Sequence, residues 1–219
     1  MSPSHTLLAF DTSGPHCAAA LQVDGRLYTR IDALAKGQAE HLMPMLEEMM
    51  MDVGCTFRDL DAIGVGVGPG NFTGIRISVS AARGLALGLG KPAIGVSTLE
   101  ALAHGAPRPV LTVADARQAR AYVQLFGNRA AGDPHLIPLT EDALHCAVHG
   151  VEPLVIGPLA DQVAALTGWP VAGPHVSLAE AVLRIAETRL GSEPQPPAPL
   201  YLRAADAAPA RDTAPTLLD

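Results

Sequence analysis

The strongest candidate for a chemical site is a glycine-rich loop at residues 64–77, which reads Gly-Val-Gly-Val-Gly-Pro-Gly-Asn-Phe-Thr-Gly-Ile-Arg-Ile. An apolar strand leads into the Gly-Pro-Gly turn, and a long helix follows it. Gly68 and Gly70 give the turn its backbone freedom, and Asn71 is a suitable N-cap. The first N–H groups of such a helix can bind an anion. The loop lacks both the Lys-Ser/Thr pair of a P-loop and the third glycine of a dinucleotide site, so it indicates phosphate binding only weakly.

The N-terminal half predicts a mixed sheet with helices packed on it. The apolar pattern indicates three strands first, and Asp24-Gly25 between the second and the third is a strong hairpin signal. A helix with apolar residues at helical spacing follows, with Pro44 in its first turn, where a missing N–H costs little. The predicted strands span 6–11, 17–23, 26–32, 62–67 and 93–96, and the predicted helices span 40–53 and 72–89.

The second half predicts a smaller α/β unit, and we place the boundary between residues 103 and 104. Two strands are joined across the turn at residues 115–117, and further strand and helix patterns follow. From about residue 191 the chain is rich in Pro and Ala, which predicts a flexible tail except where Leu200 to Leu202 dock. The pattern alone gives an α/β protein with domains 1–103 and 104–219. The predicted strands span 110–114, 120–126 and 153–157, and the predicted helices span 140–148, 158–167 and 177–190.

Composition and charge narrow the classes of function. The chain has 219 residues, a net charge of −7 and no run of Lys or Arg, whereas a protein that binds nucleic acid by itself usually presents a basic face. Cys17, Cys55 and Cys146 are isolated and indicate neither a disulfide framework nor a Cys-x-x-Cys metal site. We expect reduced thiols in a cytoplasmic protein, with no signal peptide and no membrane-spanning segment.

The order and spacing of four segments resemble the TsaB (YeaZ) family, whose members are subunits of the bacterial machinery that makes threonylcarbamoyladenosine in tRNA. The resemblance covers residues 6–127 and returns at 199–203. It implies two actin/Hsp70-like (ribonuclease H-like) units with mixed sheets flanked by helices. The four segments are the strand and Asp-Thr-Ser turn of residues 7–13, the glycine loop of residues 64–77, the stretch Lys-Pro-Ala-Ile-Gly-Val-Ser-Thr-Leu-Glu-Ala-Leu of residues 91–102, and Asp115-Ala116-Arg117.

The resemblance implies a role for the turn that follows the first strand, which active members of the actin, Hsp70 and sugar-kinase superfamily use to meet the phosphates and metal of a nucleotide. Asp11 would then be a magnesium-water ligand. Alternatively, Asp11 and Ser13 form a turn by bonding nearby N–H groups, and we favour this because a fold does not confer a site. We expect no intrinsic cofactor, and ATP or ADP only at a partner interface. The residues of this structural or nucleotide-binding loop are Asp11, Thr12, Gly68, Gly70, Asn71, Thr73 and Gly74.

TsaD, the catalytic relative of the family, carries two metal-binding histidines in a His-x-x-x-His helix after its Gly-Val strand. On the present sequence these two positions fall on Thr98 and Leu102. Leucine cannot bind a metal, and a single threonine is a poor ligand. We therefore expect no catalytic residue and no metal site in this chain.

Two helices of the N-terminal half have compositions suited to a partner. Five of the six methionines lie in the first helix, and methionine is common on surfaces that repack. The second helix is rich in Gly, Ala and Ser, which let another helix approach closely, although some of these residues must pack on the protein's own sheet. Arg76 would meet an acidic partner residue or a phosphate, or face solvent. In TsaB-like proteins the equivalent helices pair with TsaD, or with a second TsaB when TsaD is missing, and the expected interface contains Met45, Met49, Arg76, Ser78, Ala81, Ala82 and Leu85.

The resemblance implies a non-catalytic scaffold that holds TsaD active. TsaD would transfer the threonylcarbamoyl group to the adenosine next to the tRNA anticodon, with the ATP-binding partner TsaE joining the complex and tRNA contacted only through it. One alternative is an ATP-dependent phosphotransferase, for which Asp115 is the only obvious second acid. Another is a zinc peptidase based on His145 and His149, which are predicted one helical turn apart but have no evident third ligand.

Overall fold

The computed structural model describes residues 5–191 and 195–202, which form two mixed sheets flanked by helices. This confirms the predicted α/β fold class. In the first sheet, with the order β3-β2-β1-β4-β5, the pairs β3-β2 and β2-β1 are antiparallel, and β1-β4 and β4-β5 are parallel. Every residue of β1 and β4 is buried, as expected for central strands covered on both faces. The strands are β1 (Leu7–Asp11), β2 (His16–Val23), β3 (Arg26–Ala33), β4 (Ala62–Gly66) and β5 (Ala93–Val96).

The helices of the protein divide between the two sheets. They are α1 (Gln38–Asp52), α2 (Phe72–Leu89), α3 (Thr98–Leu102), α4 (Glu141–Val148), α5 (Ala160–Thr167) and α6 (Leu178–Thr188), with a short 3₁₀ turn at Phe57–Asp59. On one face of the first sheet, α1 and α2 bury Leu46 and Ile75 against Phe10. On the other face, α6 buries Val182 and Ala186 against Leu7 and Ala9. The first sheet is therefore the middle layer of three.

The position of α6 corrects the predicted domain boundary. The residues of α6 share one buried cluster with the first sheet, so this helix belongs to the N-terminal unit rather than to the domain 104–219. The two layers meet closely at Gly64, where a Cβ atom would lie 3.1 Å from the Cβ atoms of both Ala9 and Ala186. An amphipathic stripe predicts that a helix is buried on one side, but it does not say which sheet will cover it.

The second unit is a four-stranded sheet with the order β8-β7-β6-β9. Its strands are β6 (Val110–Asp115), β7 (Arg120–Phe126), β8 (His135–Pro138) and β9 (Leu154–Ile156), of which β8 was not predicted. The helices α4 and α5 cover this sheet and bury Leu144 and Val163 with Trp169. The turn between β6 and β7 is built as predicted, because the Asp115 carboxylate accepts a hydrogen bond from the N–H of Arg117 at 2.7 Å.

The start of α1 differs from the prediction. The helix begins at Gln38 after Gly37, whose φ of 84° is in the left-handed region and which has no side chain to cap the helix. Pro44 therefore lies in the second turn rather than the first. Its missing N–H leaves the carbonyl of Glu40 without its usual intrahelical donor.

Candidate partner-docking surface

An apolar groove separates the exposed edges of α1 and α2. We call it the α1–α2 groove, and its volume is about 400 Å³. Of the residues that the structure describes, Arg76 is the one charged side chain that lines it. The groove holds only two of the predicted interface residues, Arg76 and Ala81. It is lined by Ala39, Leu42, Met43, Thr73, Arg76, Ile77, Ser80 and Ala81.

The outward side of α2 continues this groove as a smooth exposed face. A Cβ atom at Gly84 or Gly88 would meet nothing within 4 Å, and the Leu87 side chain is 88% exposed. An exposed leucine beside exposed glycines is the pattern expected of a helix that packs against a second helix. The predicted interface did not include Leu87. The signal was available, because Leu87 is separated by three and four residues from Gly84 and Arg83 and lies away from the buried stripe.

Four predicted interface residues are corrected by their burial. Met45, Met49, Ser78 and Ala82 have exposed fractions of 6% or less and pack inside the protein's own core. The Ser78 hydroxyl also donates to the carbonyl of Gly66 at 3.2 Å. Because a partner cannot touch a side chain that its own sheet covers, these four residues support the docking helices from beneath. Leu85 and Ala81 are half-buried, and their place in an interface stays a prediction.

Arg76 is held by an aromatic clamp of the chain itself. Its guanidinium carbon lies 3.8 Å from the centroid of the Phe72 ring, and its Nε donates to the Tyr201 hydroxyl at 2.9 Å. The Phe72 and Tyr201 rings lie 5.2 Å apart, close enough to interact. Arg76 is exposed but fixed in position, which neither predicted role anticipated.

The loop around Asp11 satisfies only one of the two carboxylate oxygens of this residue. Asp11 is fully buried, and its Oδ1 accepts hydrogen bonds from the N–H and hydroxyl of Ser13, each at 2.8 Å, with His16 Nε2 at 3.2 Å. Its Oδ2 is buried without a hydrogen-bond partner, and it faces Gly66, where a Cβ atom would lie only 1.8 Å from it. The turn-forming role that we favoured is therefore present. A role of Asp11 as a magnesium-water ligand stays a prediction.

The glycine loop is packed as a joint between the sheet and α2. The Asn71 side chain accepts hydrogen bonds from the N–H groups of Thr73 and Gly74, each at 3.0 Å, which confirms the predicted N-cap. These two donors are therefore already used by the chain itself. The Thr12 hydroxyl donates to the carbonyl of Gly74 at 2.7 Å, and a Cβ atom at Gly74 would lie only 1.9 Å from the carbonyl oxygen of Thr12.

The contacts around Asp11, Asn71 and Asp115 bear on whether a nucleotide and its metal would fit this chain without a partner. Asp11 has no solvent-accessible surface and lies beneath His16, while two N–H groups of the α2 N-terminus are capped by Asn71. Asp115 is exposed, but its carboxylate caps its own turn. Asp11 Oδ1, Asp115 and two N–H groups of the loop are therefore occupied by contacts within the chain, and the absence of an intrinsic nucleotide site stays a prediction.

The two predicted histidines do not form a metal pair. Helix α4 ends at Val148, and His149 adopts a left-handed φ of 51°, so the two imidazoles are not one turn apart on a continuous helix. His145 instead stacks edge-on against Trp169 at 5.0 Å. Within residues 5–191 and 195–202, no group of three or more His, Cys, Asp or Glu side chains is placed to hold a metal ion.

The two buried cysteines, Cys17 and Cys55, are also poorly suited to nucleophilic chemistry. Burial, reinforced by the negative charges of Asp32 and Asp11, raises the pKa of the Cys17 thiol to about 11. Burial likewise raises the pKa of Cys55. Because the thiolate is the reactive form, both residues behave as packing residues at neutral pH.

An ionic cluster ties α1 to β3. The Asp32 carboxylate lies 2.6 Å from His41 Nε2 and 2.9 Å from an Arg30 nitrogen, and Arg30 reaches Glu48 at 2.7 Å. The hydrogen bonds from Arg30, and then those from His41, hold the pKa of Asp32 below its ordinary value. A carboxylate with a lowered folded-state pKa stabilises the fold above its unfolded-state pKa of about 4, and this stabilisation is lost as the pH falls through the folded-state pKa.

Replacement of Asp32 by asparagine is therefore expected to destabilise the protein at pH 7 by on the order of 1 kcal/mol, since the cluster is partly exposed to solvent. The difference from the wild type should shrink towards pH 3. Urea unfolding at both pH values measures it. Glu47→Gln is the matched control, because Glu47 is exposed on α1 and forms no ion pair within the described residues. An equal loss at pH 7 and pH 3 would contradict the ionic origin.

The sequence and fold can now be compared with known proteins. The model of the family described as "TsaD: tRNA N6-adenosine threonylcarbamoyltransferase" matches residues 32–181, which is more than half of the chain. The chain belongs to the TsaD family. Among its curated relatives, TsaB of Escherichia coli is 38% identical over 121 residues, which cover 53% of this chain and 52% of that protein. This confirms the predicted resemblance to TsaB.

Two further comparisons cover nearly the whole chain of this TsaD-family member. An uncharacterised protein of Mycobacterium bovis is 32% identical over 214 residues, or 93% of this chain and 94% of that protein. The solved structure described as YeaZ from Pseudomonas aeruginosa superposes with a TM-score of 0.73 at 28% identity, covering 90% of this chain and all of that chain. By contrast, the chain spans about half the length of the first curated relatives that it matches. Within the described residues, no helix combines the length and apolar character needed to cross a bilayer.

Proposed function

We propose that this chain is a non-catalytic scaffold subunit that pairs with TsaD during the biosynthesis of threonylcarbamoyladenosine in tRNA. The observation that carries the proposal is the apolar α1–α2 groove and its smooth continuation along α2, on a member of the TsaD family. In this role the chain holds TsaD in its active arrangement in the cytoplasm. TsaE joins the assembled complex, and tRNA contacts it only there, in keeping with the net charge of −7.

The donor groups of the chain support the non-catalytic assignment. Thr98 and Leu102 lie at the two ends of α3, where TsaD carries its metal-binding histidines, and Leu102 packs among apolar residues. Neither side chain replaces an imidazole as a metal ligand. We therefore assign the transfer reaction to TsaD and a structural role to this chain.

The rival enzymatic functions receive less support. A phosphotransferase needs an accessible acid near its phosphates, whereas Asp11 is fully buried within its own turn and Asp115 caps another turn. A zinc peptidase needs ligands that converge on one point, whereas His145 stacks on Trp169 and His149 ends a helix. Any ATP or ADP would bind where this chain meets TsaD.

The test is a reconstituted transfer reaction with TsaD and TsaE from the same organism, threonylcarbamoyl-adenylate and unmodified tRNA. We expect modified tRNA only when this chain and TsaD are both present, and none with this chain alone. Omission of each protein in turn is the control. Equal modification without this chain would contradict the scaffold role, and modification by this chain alone would contradict the non-catalytic assignment.

A further inference from the structure

A short segment near the C-terminus lies across the carboxyl ends of the first sheet. We call residues 195–202 the strap. The Leu200 N–H donates to the carbonyl of Val67 at 2.8 Å, and Pro197 is buried beside Gly95. This confirms the predicted docking of Leu200 to Leu202. The rest of the predicted tail, residues 192–194 and 203–219, lies outside the described residues.

Two residues of the strap line a second groove beside the α1–α2 groove. Pro199 and Tyr201 line a shallow groove together with Arg76, Val79, Ser80 and Arg83 of α2. Two of these residues, Arg76 and Ser80, also line the α1–α2 groove. The two grooves therefore form one continuous surface that runs from α1 across α2 to the strap.

The charge on this surface has one sign. Among the described residues, only Arg76 and Arg83 are charged side chains that line the two grooves, and α2 contains no acidic residue. Within the part of the chain that the structure describes, neither arginine lies within 4.0 Å of a carboxylate. Both cations therefore lack a carboxylate partner within residues 5–191 and 195–202, although the net charge of the chain is −7.

The strap also fixes one of these cations. Tyr201 accepts a hydrogen bond from Arg76 Nε, while Phe72 covers the face of the guanidinium. Within the described residues, the remaining guanidinium N–H groups of Arg76 form no hydrogen bond and can donate outward. An arginine that is held in place before binding loses less conformational entropy when it meets a carboxylate.

We propose that the strap completes the docking surface by positioning Arg76, and that the partner segment is an apolar helix whose carboxylates pair with Arg76 and Arg83. This inference rests on the proposed function, since it specifies the surface that TsaD would contact. Tyr201 is accordingly a positioning residue, and Arg83 is a direct contact.

The test measures the affinity of full-length TsaD for variants of the full chain at low and at moderate salt. Arg83→Glu is expected to weaken binding about 30-fold, because it places like charges across the interface. Tyr201→Ala is expected to weaken it about 10-fold, and Tyr201→Phe, which keeps the ring, about 3-fold. The weakening caused by Arg83→Glu should shrink at higher salt, because salt screens the charge pair.

Each variant has a matched control away from the surface. Arg26→Glu makes the same charge change at the exposed start of β3, and Tyr28→Ala removes a tyrosine that is 37% exposed, similar to the 45% of Tyr201. Both controls should bind as the wild type does. Thermal unfolding of every variant confirms that the chain is folded, and sedimentation of the isolated chain reports self-association.

The outcomes separate the two proposals. If the wild type binds TsaD and both Arg83→Glu and Tyr201→Ala bind equally well, the strap inference is wrong and the proposed function stands. If Arg83→Glu disrupts only a dimer of this chain, the occupant is a second copy and the inference is overturned. If the wild type does not bind TsaD, the proposed function fails and the inference fails with it.

Discussion

Replacement of Gly84 by tryptophan is expected to abolish pairing with TsaD while the chain still folds. Gly84 is exposed on α2, and a side chain there meets nothing of the protein within 4 Å. The indole would instead project from the smooth face where a partner helix must approach. We expect the affinity to fall at least about 100-fold, which corresponds to roughly 2.7 kcal/mol. Titration calorimetry against TsaD measures this loss.

The control for this variant is Gly84→Ala, which adds a single methyl group to the same open position. Alanine is favoured over glycine in a helix by about 1 kcal/mol, so this variant should unfold at a slightly higher temperature and still bind. Ala82, another small residue of α2, is unsuitable for the same test because it is fully buried and a bulky replacement would disturb the core. Unchanged co-elution of Gly84→Trp with TsaD would refute the docking surface.

Replacement of Gly74 by alanine is expected to reduce the stability of the fold, whereas Gly84→Trp reduces binding. The loss of stability should be large although only one methyl group is added. The alanine Cβ atom would lie 1.9 Å from the carbonyl oxygen of Thr12 and 2.9 Å from the carbonyl carbon. Both are backbone atoms at the end of β1, so α2 must move away from the sheet and lose the Thr12–Gly74 hydrogen bond. We expect a loss of about 3 kcal/mol in the free energy of unfolding, or roughly 6–12 °C in Tm for a chain of this size.

Gly88→Ala is the matched control for this loss, because Gly88 lies on the same helix with open space around it. It should leave the free energy of unfolding unchanged or raise it by up to about 1 kcal/mol. Calorimetric melting of both variants gives the comparison. If Gly74→Ala and Gly88→Ala unfold at the same temperature, the prediction based on close contact between α2 and Thr12 is wrong.

The sequence predicted local features well where the signal lies within a few residues. Helix α2 has the predicted bounds, Phe72–Leu89, because Asn71 caps its start and Gly90, with a φ of 66°, ends it. The hairpin at Asp24-Gly25 and the turn at Asp115 depend on equally local chemistry. These elements needed no knowledge of what lies beside them.

The docking surface was predicted only in part, because contacts between residues far apart in the sequence decide which side chains are exposed. The methionines of α1 mark an adaptable helix, but the sheet decides which of them are covered. Met45 and Met49 are buried, whereas Met51 is 77% exposed. Likewise, no local pattern links Tyr201 to Arg76, which is 125 residues away. Such pairs become visible only when the chain is folded.

The return of α6 to the first sheet has a consequence for how the chain matures during synthesis. The docking helices α1 and α2 are complete by residue 89, but the opposite face of their sheet is covered only by residues 178–188. A nascent chain therefore carries an uncovered apolar face, including Leu7 and Ala9, until residues 178–188 have left the ribosome. The docking helices and the helix that supports their sheet are made far apart in time, so the chain becomes competent to assemble only when α6 has formed.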